Sequence, residues 1–181
     1  MPEAPKTYKM FGTTKGTLTQ KLTDLDGRLS QNREEFSSLD SDGDMMDDPI
    51  LHRLQYERIH LTDEQIAILE HRSGAEVLDP SVLENINQVS IGHEVTAEVV
   101  YPDGEDDVLK LTIGTRYDSQ YLKNGDLQQL GYDGMLISQE STLAQVILGR
   151  HVGESIPYNT PDGQGLVTIL GLQVSPLARI E

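Results

Sequence analysis

The sequence predicts an α+β protein: an N-terminal antiparallel helical hairpin followed by a small antiparallel sheet domain that carries one short helix. Three observations predict it. Apolar residues recur at alternating steps of 4 and 3 from Leu18 to Leu39. The string Asp48-Pro49 opens a second helical stretch after a short acidic turn. From His93 onward, runs of alternating apolar and polar residues are divided by Gly, Pro, Asn and Asp. A narrow heptad seam needs a facing helix, and period-two alternation needs a half-buried sheet.

Residues 1–12 read as a polar leader with Pro2, Pro5 and a small cluster of Tyr8, Met10 and Phe11, expected to be partly disordered with its aromatic residues docked. Residues 13–76 read as the coiled-coil hairpin. Thr13 or Thr14 can cap the first helix. Its seam is Leu18, Leu22, Leu25, Leu29, Asn32, Phe36 and Leu39, with one polar member. Gly27 weakens this helix by about 1 kcal/mol relative to alanine, so pairing must hold it.

The turn spans residues 40–48, Asp40-Ser41-Asp42-Gly43-Asp44-Met45-Met46-Asp47-Asp48, with five carboxylates in nine positions. Asp48 as N-cap and Pro49 at the first helical position start the second helix, expected from Pro49 to about Gly74. Ile50, Leu54, Leu61 and Ile68 form one apolar stripe, and Ile59, Ile66 and Leu69 a neighbouring one. Thr62-Asp63-Glu64-Gln65 resembles a second cap, which allows a kink or restart there. At about 1.5 Å per residue each arm extends roughly 40 Å, so the acidic turn stands at the tip of a rod.

Residues 77–89 read as a linker broken by Asp79-Pro80, and residues 90–181 as the sheet domain. Residues 93–101 and 107–115 alternate as strands around a Pro102-Asp103-Gly104 turn, a hairpin signature. Residues 116–134 are polar and turn-rich. Met135 to Ser138 is a short strand. Ser141 caps a helix that Gly149 stops. Two more strands, 153–158 and 166–174, flank the turn Pro161-Asp162-Gly163.

The net charge of −16 disfavours direct binding to bulk nucleic acid or to an anionic membrane. With no cysteine there is no disulfide, thiolate nucleophile or cysteine metal site. No apolar run reaches the ~20 residues of a membrane span, and no signal-peptide core stands at the N-terminus, which makes a soluble cytoplasmic protein the expectation. His52, His60, His71, His93 and His151 form no HExxH pair, and there is no P-loop, GxGxxG or GxSxG string. Asp40-x-Asp42-x-Asp44 starts like an EF-hand loop, but Met45 stands at its glycine position and Leu51 at its glutamate position. Two readings of the tip remain. Asp44 and Asp47, three apart, can converge on a divalent cation shared with a partner, which would relieve their mutual repulsion. Alternatively, the turn is solvated, with Asp48 capping a helix and the other charges complementing its dipole. Composition alone favours the second.

Several strings resemble the Gre family of bacterial transcript cleavage factors (GreA/GreB-like). The family's tip, Gly-Asp-Leu-Ser-Glu-Asn-Ala-Glu-Tyr, is similar to Gly43-Asp44-Met45-Met46-Asp47-Asp48-Pro49-Ile50-Leu51. An Ala-Glu-Val-Ile-Asp-Pro-like string is matched by Ala75-Glu76-Val77-Leu78-Asp79-Pro80. The most specific match is the run from Ser141-Thr142-Leu143-Ala144 through Ile147-Leu148-Gly149-Arg150 to Gly153-Glu154, followed by Pro161-Asp162-Gly163. The resemblance covers roughly residues 13–174. It implies that the sheet domain is FKBP-like, and that the coiled coil enters the secondary channel of RNA polymerase while the sheet domain docks at its rim. It further implies that the tip acts on the nascent RNA 3′ end indirectly, by helping to hold a second magnesium ion at the polymerase active site. Asp44 then matches the family's tip aspartate, and Asp47 stands where the family has glutamate, one methylene shorter. Together they would be the catalytic pair and the magnesium ligands, jointly with polymerase and with no ion held stably alone. Asp40, Asp42, Met45, Met46 and Asp48 would be tip contacts. The protein would not itself be the enzyme but a cofactor of polymerase's own RNA cleavage, in transcription elongation and its regulation. Met46 replaces the family's serine or threonine, Asp48 its asparagine and Leu51 its tyrosine, and segment 116–134 is longer than the family's connection. Some Gre-like homologues with unusually acidic tips inhibit polymerase, so the resemblance also implies an alternative: a channel-occupying inhibitor that does not promote cleavage. A prolyl isomerase, suggested by the FKBP likeness alone, lacks support because residues 90–181 have no Phe or Trp.

Overall fold

The structure is a computed structural model that describes residues 7–39 and 49–179. They divide into two compact units: residues 17–75, and residues 7–16 together with 76–179.

The first unit is a helical hairpin. Helix α1 (Gly12–Leu39) has its first turn in the other unit and then supplies the seam. Leu18, Leu22, Leu25, Leu29 and Asn32 are buried, and Phe36 and Leu39 are half-buried. Helix α2 (Pro49–Ser73) buries Leu54, Leu61 and Ile68, one residue every seven. The helices run antiparallel, because Asn32 reaches Leu54 while the lower-numbered Asp26 reaches the higher-numbered Gln65. Arg28 pairs with Glu57 at 3.6 Å, and the Arg58 guanidinium lies 5.2 Å from the centre of the Phe36 ring. Ile59, Ile66 and Leu69 are exposed. The restart that the Thr62 string allowed does not occur. α2 runs unbroken from Pro49 to Ser73, and the Thr62 hydroxyl donates to the Arg58 carbonyl one turn back.

The second unit starts with strand β1 (Tyr8–Met10), which pairs with β2 (Ala75–Val77). Of the leader expected to be partly disordered, the described part from Thr7 onward contains this strand. Met10 and Phe11 are fully buried, and the Tyr8 ring meets Tyr117 edge-on at 5.0 Å. The aromatic residues dock as expected. Thr13 and Thr14 lie inside α1 rather than capping it. Their hydroxyls donate instead to the Leu177 carbonyl at 2.7 Å and to Asp118. Within residues 77–89, Asp79 caps a single turn, α3 (Pro80–Leu83), accepting from the Ser81 N–H.

The sheet has five strands: β3 (His93–Val100), β4 (Asp106–Gly114), β5 (Met135–Ser138), β6 (Ser155–Thr160) and β7 (Gly163–Val174), in the order β5-β4-β3-β7-β6. Three neighbouring pairs are antiparallel, as expected. β5 lies parallel to β4, which makes the sheet mixed. Parallel neighbours need a crossover. Here it contains two short helices, α4 (Arg116–Tyr121) and α5 (Asn124–Gln129), in the stretch expected to be turns. Helix α6 (Thr142–Ile147) is the expected short helix, with Ser141 accepting from the Ala144 N–H and Gly149 at φ 77° just after it. Helix α7 (Pro176–Arg179) follows β7.

One sheet face presents Val95, Ala97, Val99, Leu111, Ile113, Val167 and Ile169, with Ala144 and Ile147 of α6 completing that core. A second cluster gathers Phe11, Leu83, Leu122, Leu127, Leu177 and Ala178. No helix among the described residues is long and apolar enough to cross a membrane.

Candidate functional site

The residues singled out for chemistry, Asp40, Asp42, Asp44, Met45, Met46, Asp47 and Asp48, all lie outside the described residues. What is described is the frame from which they are strung. α1 ends at Leu39 and α2 begins at Pro49, with the two helices antiparallel. The nine intervening residues therefore join paired helix ends. Toward this end, the buried Asn32 amide donates to the Leu54 carbonyl at 3.1 Å, and Phe36 carries Arg58 over its ring.

Among the described residues no cluster of three or more His, Asp or Glu side chains is arranged to hold a metal ion. Clefts open among the described residues of the second unit. One, of about 410 Å³, is lined by Leu83, Ile86, His93, His151, Val152 and Val174 among others. His93 is almost fully buried. Its Nδ1 accepts from the Ser90 N–H at 3.0 Å, so Nε2 carries the proton and donates to the Leu83 carbonyl at 3.2 Å. Burial lowers the pKa of His93 against the opposing effect of that carbonyl bond. This imidazole is a fixed, neutral wall and not a proton carrier. His151 instead pairs with Glu154, which accepts from both the His151 backbone and its ring and is thereby held below the usual carboxylate range. Another cleft, of about 730 Å³, is lined by Tyr101, Pro102, Asp103, Glu105, Asp107, Thr160 and Asp162.

The residue that sequence reasoning missed is Asp118, fully buried on α4. One carboxylate oxygen accepts from the Phe11 N–H at 2.8 Å and from the Thr14 hydroxyl. The other accepts from the Thr115 N–H and hydroxyl, each at 2.8 Å. Burial raises its pKa, and the four donors pull it back down. Asp118 thus ties the first turn of α1 to the start of α4. Its sequence signal was the pair Thr115-x-x-Asp118, a reciprocal capping box at a helix start.

No protein-family model matches the chain. Over 111 residues it is 29% identical to the transcription elongation factor GreA of Geobacillus kaustophilus, a match that spans 61% of each chain. Over 172 residues it is 27% identical to transcription elongation factor GreA 2 of Lactiplantibacillus plantarum, spanning 93% of this chain and 96% of that one. Among solved structures, GreA factor homolog 1 of Thermus thermophilus aligns over 93% of this chain and 99% of its own at 21% identity, with a TM-score of 0.40.

Proposed function

We propose that this chain, Gre-like in sequence along 93% of its length, is a bacterial transcription elongation factor that acts through RNA polymerase. Its hairpin enters the secondary channel, its sheet unit docks at the channel rim, and residues 40–48 stimulate cleavage of backtracked RNA. The observation that carries this reading is the acidic connection itself: five carboxylates in nine residues between two antiparallel helices, in a chain aligned nearly end to end with a GreA protein.

A chain of net charge −16 is repelled by nucleic acid and works on RNA only through a protein contact or a cation. Asp44 and Asp47 offer hard oxygen donors of the kind magnesium takes, and two are too few for a closed cage, so polymerase supplies the remaining ligands. When bound there, a second magnesium supplies charge stabilisation and an activated water for phosphodiester cleavage. The contribution of this chain is to present two carboxylates at the end of paired helices. The remaining tip residues, Asp40, Asp42, Met45, Met46 and Asp48, contact the surroundings of the polymerase centre.

A second reading is favoured by the tip's own chemistry. Asp40, Asp42 and Asp48 add acids to the pair, and Asp47 reaches one methylene less far than a glutamate would. That composition suits a factor that occupies the channel and slows polymerase without cutting. Stalled, backtracked polymerase complexes with magnesium separate the two. Release of short 3′ RNA fragments, lost in Asp44→Ala and Asp47→Ala, supports the cleavage factor. Binding with slowed nucleotide addition and no fragments supports the inhibitor. Absence of binding overturns both.

A further inference from the structure

We infer that the acidic cleft at the Tyr101 end of the sheet binds the guanidinium of an arginine presented by a protein partner. The strand register builds this cleft. β3 pairs with β4 on one side and with β7 on the other, and β7 pairs with β6, so the β3–β4 turn and the β6–β7 turn lie side by side. A Cβ on Gly163 would stand 3.1 Å from the Pro102 ring. The wall between the turns holds four carboxylates, those of Asp103, Glu105, Asp107 and Asp162, and among the described residues no Lys, Arg or His lines it.

Exposed carboxylates on turns are commonly just solvated and assign nothing by themselves. Tyr158 adds what they lack. It is only 8% exposed, and its hydroxyl has no hydrogen-bond partner among the described residues. A buried hydroxyl left unpaired is destabilising, and such an exception asks for a reason. Its direction is set by Gly165. Tyr158 stands opposite Gly165 on β7, and Val100 stands opposite Leu166, which puts Tyr101 beyond Gly165 on the far side. With no side chain at Gly165, the Tyr158 ring lies across it. A Cβ there would meet two ring carbons at 2.5 and 2.7 Å, the second being the one that carries the hydroxyl. The phenol therefore points along the sheet toward Tyr101 in the cleft wall. The Tyr101 hydroxyl bonds to Asp107, and Asp103 and Tyr158 stand near enough to act on it electrostatically.

The wall selects the ligand. Carboxylates only accept hydrogen bonds, and the unpaired phenol oxygen can accept as well, so the ligand is a cation rich in N–H donors. A bare metal ion suits the cleft poorly, because no three His, Asp or Glu side chains among the described residues converge to hold one. A guanidinium carries five N–H donors in one plane, stacks on tyrosine faces and is weakly hydrated, whereas an ammonium is compact and strongly hydrated. The cleft opens between two exposed turns, which admits a side chain carried in on a partner's surface. This inference does not depend on residues 40–48 or on RNA cleavage.

The test is an NMR titration of the full chain, isotope-labelled at its tyrosine rings, with N-acetylarginine amide at constant ionic strength. The Tyr101 and Tyr158 ring signals, assigned from Tyr101→Phe and Tyr158→Phe, should shift saturably. Asp103→Asn combined with Asp107→Asn should weaken binding about tenfold or more, as expected when hydrogen bonds to a charged group are removed. Tyr158→Phe should weaken it about threefold without lowering the melting temperature; a merely structural hydroxyl would leave affinity unchanged. Glu34→Gln combined with Glu64→Gln, both exposed on the hairpin, removes the same charge and should change nothing. The inference is overturned if the rings do not shift or if Tyr158→Phe binds as well as the native chain. It is also overturned by an equal loss in the hairpin control, which would mean diffuse attraction to an acidic protein, or by equal shifts with butylammonium or magnesium ion. Tighter binding of free arginine than of the amide would make the ligand a small molecule and overturn the assignment to a partner's side chain. No readout involves polymerase, so failure here is distinct from failure of the proposed function.

Discussion

Replacing Asp118 should unfasten the second unit in a graded way. Its carboxylate serves two backbone N–H groups, those of Phe11 and Thr115, and the hydroxyls of Thr14 and Thr115. In Asp118→Asn the amide oxygen can satisfy one oxygen's pair of donors, and the NH₂ group faces the other pair. A hydroxyl can rotate to accept from that NH₂, but a backbone N–H cannot, so one buried N–H is orphaned whichever way the amide turns. An orphaned buried donor costs about 1–3 kcal/mol. In Asp118→Ala both N–H groups are orphaned, for about 2–6 kcal/mol. At roughly 4–8 °C per kcal/mol for a domain of about this size, the Asn variant should melt roughly 4–24 °C lower and the Ala variant lower still. The assay is the near-ultraviolet tyrosine signal. There is no Trp, and Tyr8, Tyr101, Tyr117, Tyr121, Tyr132 and Tyr158 lie in this unit, with Tyr56 in the hairpin. Hydrogen exchange at the Phe11 and Thr115 amides should accelerate in the Ala variant. The pH dependence has a definite sign. Because the folded pKa is raised, the linked stability is fully present below the ordinary value of 3.8 and is lost as pH rises through the folded value. The wild type should therefore gain on Asp118→Asn as pH falls from neutral toward 4. An Ala variant within about 0.5 kcal/mol of wild type, a spread expected of unremarkable surface sites, would refute the account of this knot.

Two further predictions concern the same unit. His93 should resist protonation, with an imidazole NMR titration midpoint below 6.5, because burial lowers its pKa. Its contribution to stability is present above 6.5 and lost as pH falls through the folded value; a midpoint at or above 6.5 would contradict its placement. Gly165→Ala should destabilise the sheet by about 1–3 kcal/mol, since a Cβ there would meet the Val100 carbonyl at 2.6 Å and the Tyr158 ring at 2.5 Å. Denaturant unfolding that shows no change would count against the close approach of β3, β6 and β7 at this point.

The parts of the fold that were legible had strong local periods. The α1 seam follows from its steps of 4 and 3, and α6 from Ser141 and Gly149, because both signals lie within the element they define. The strands β3, β4 and β7 were marked by alternation, which one buried face imposes. The parallel placement of β5 was not legible. A four-residue strand carries no direction, and the six-residue helices of its crossover are too short to show a period. Thr13 and Thr14 looked like caps because their hydroxyls suit that role locally. Their partners, Leu177 and Asp118, are more than a hundred residues away, which no local pattern reveals. For the candidate site, the sequence carried the composition of the tip and the structure carries the antiparallel helices that hold it. Asp44 and Asp47 themselves stand outside the described residues.

The central claim is that these two carboxylates act within RNA polymerase. The most direct measurement adds the protein to backtracked elongation complexes labelled at the RNA 3′ end, with magnesium, beside Asp44→Ala and Asp47→Ala. Loss of an activity supplied through shared metal ligation is commonly tenfold or more. The account predicts rapid release of short labelled fragments by the native chain, and at least a tenfold loss in each variant with polymerase binding retained. Binding without fragments, or fragments released equally by all three proteins, would contradict it.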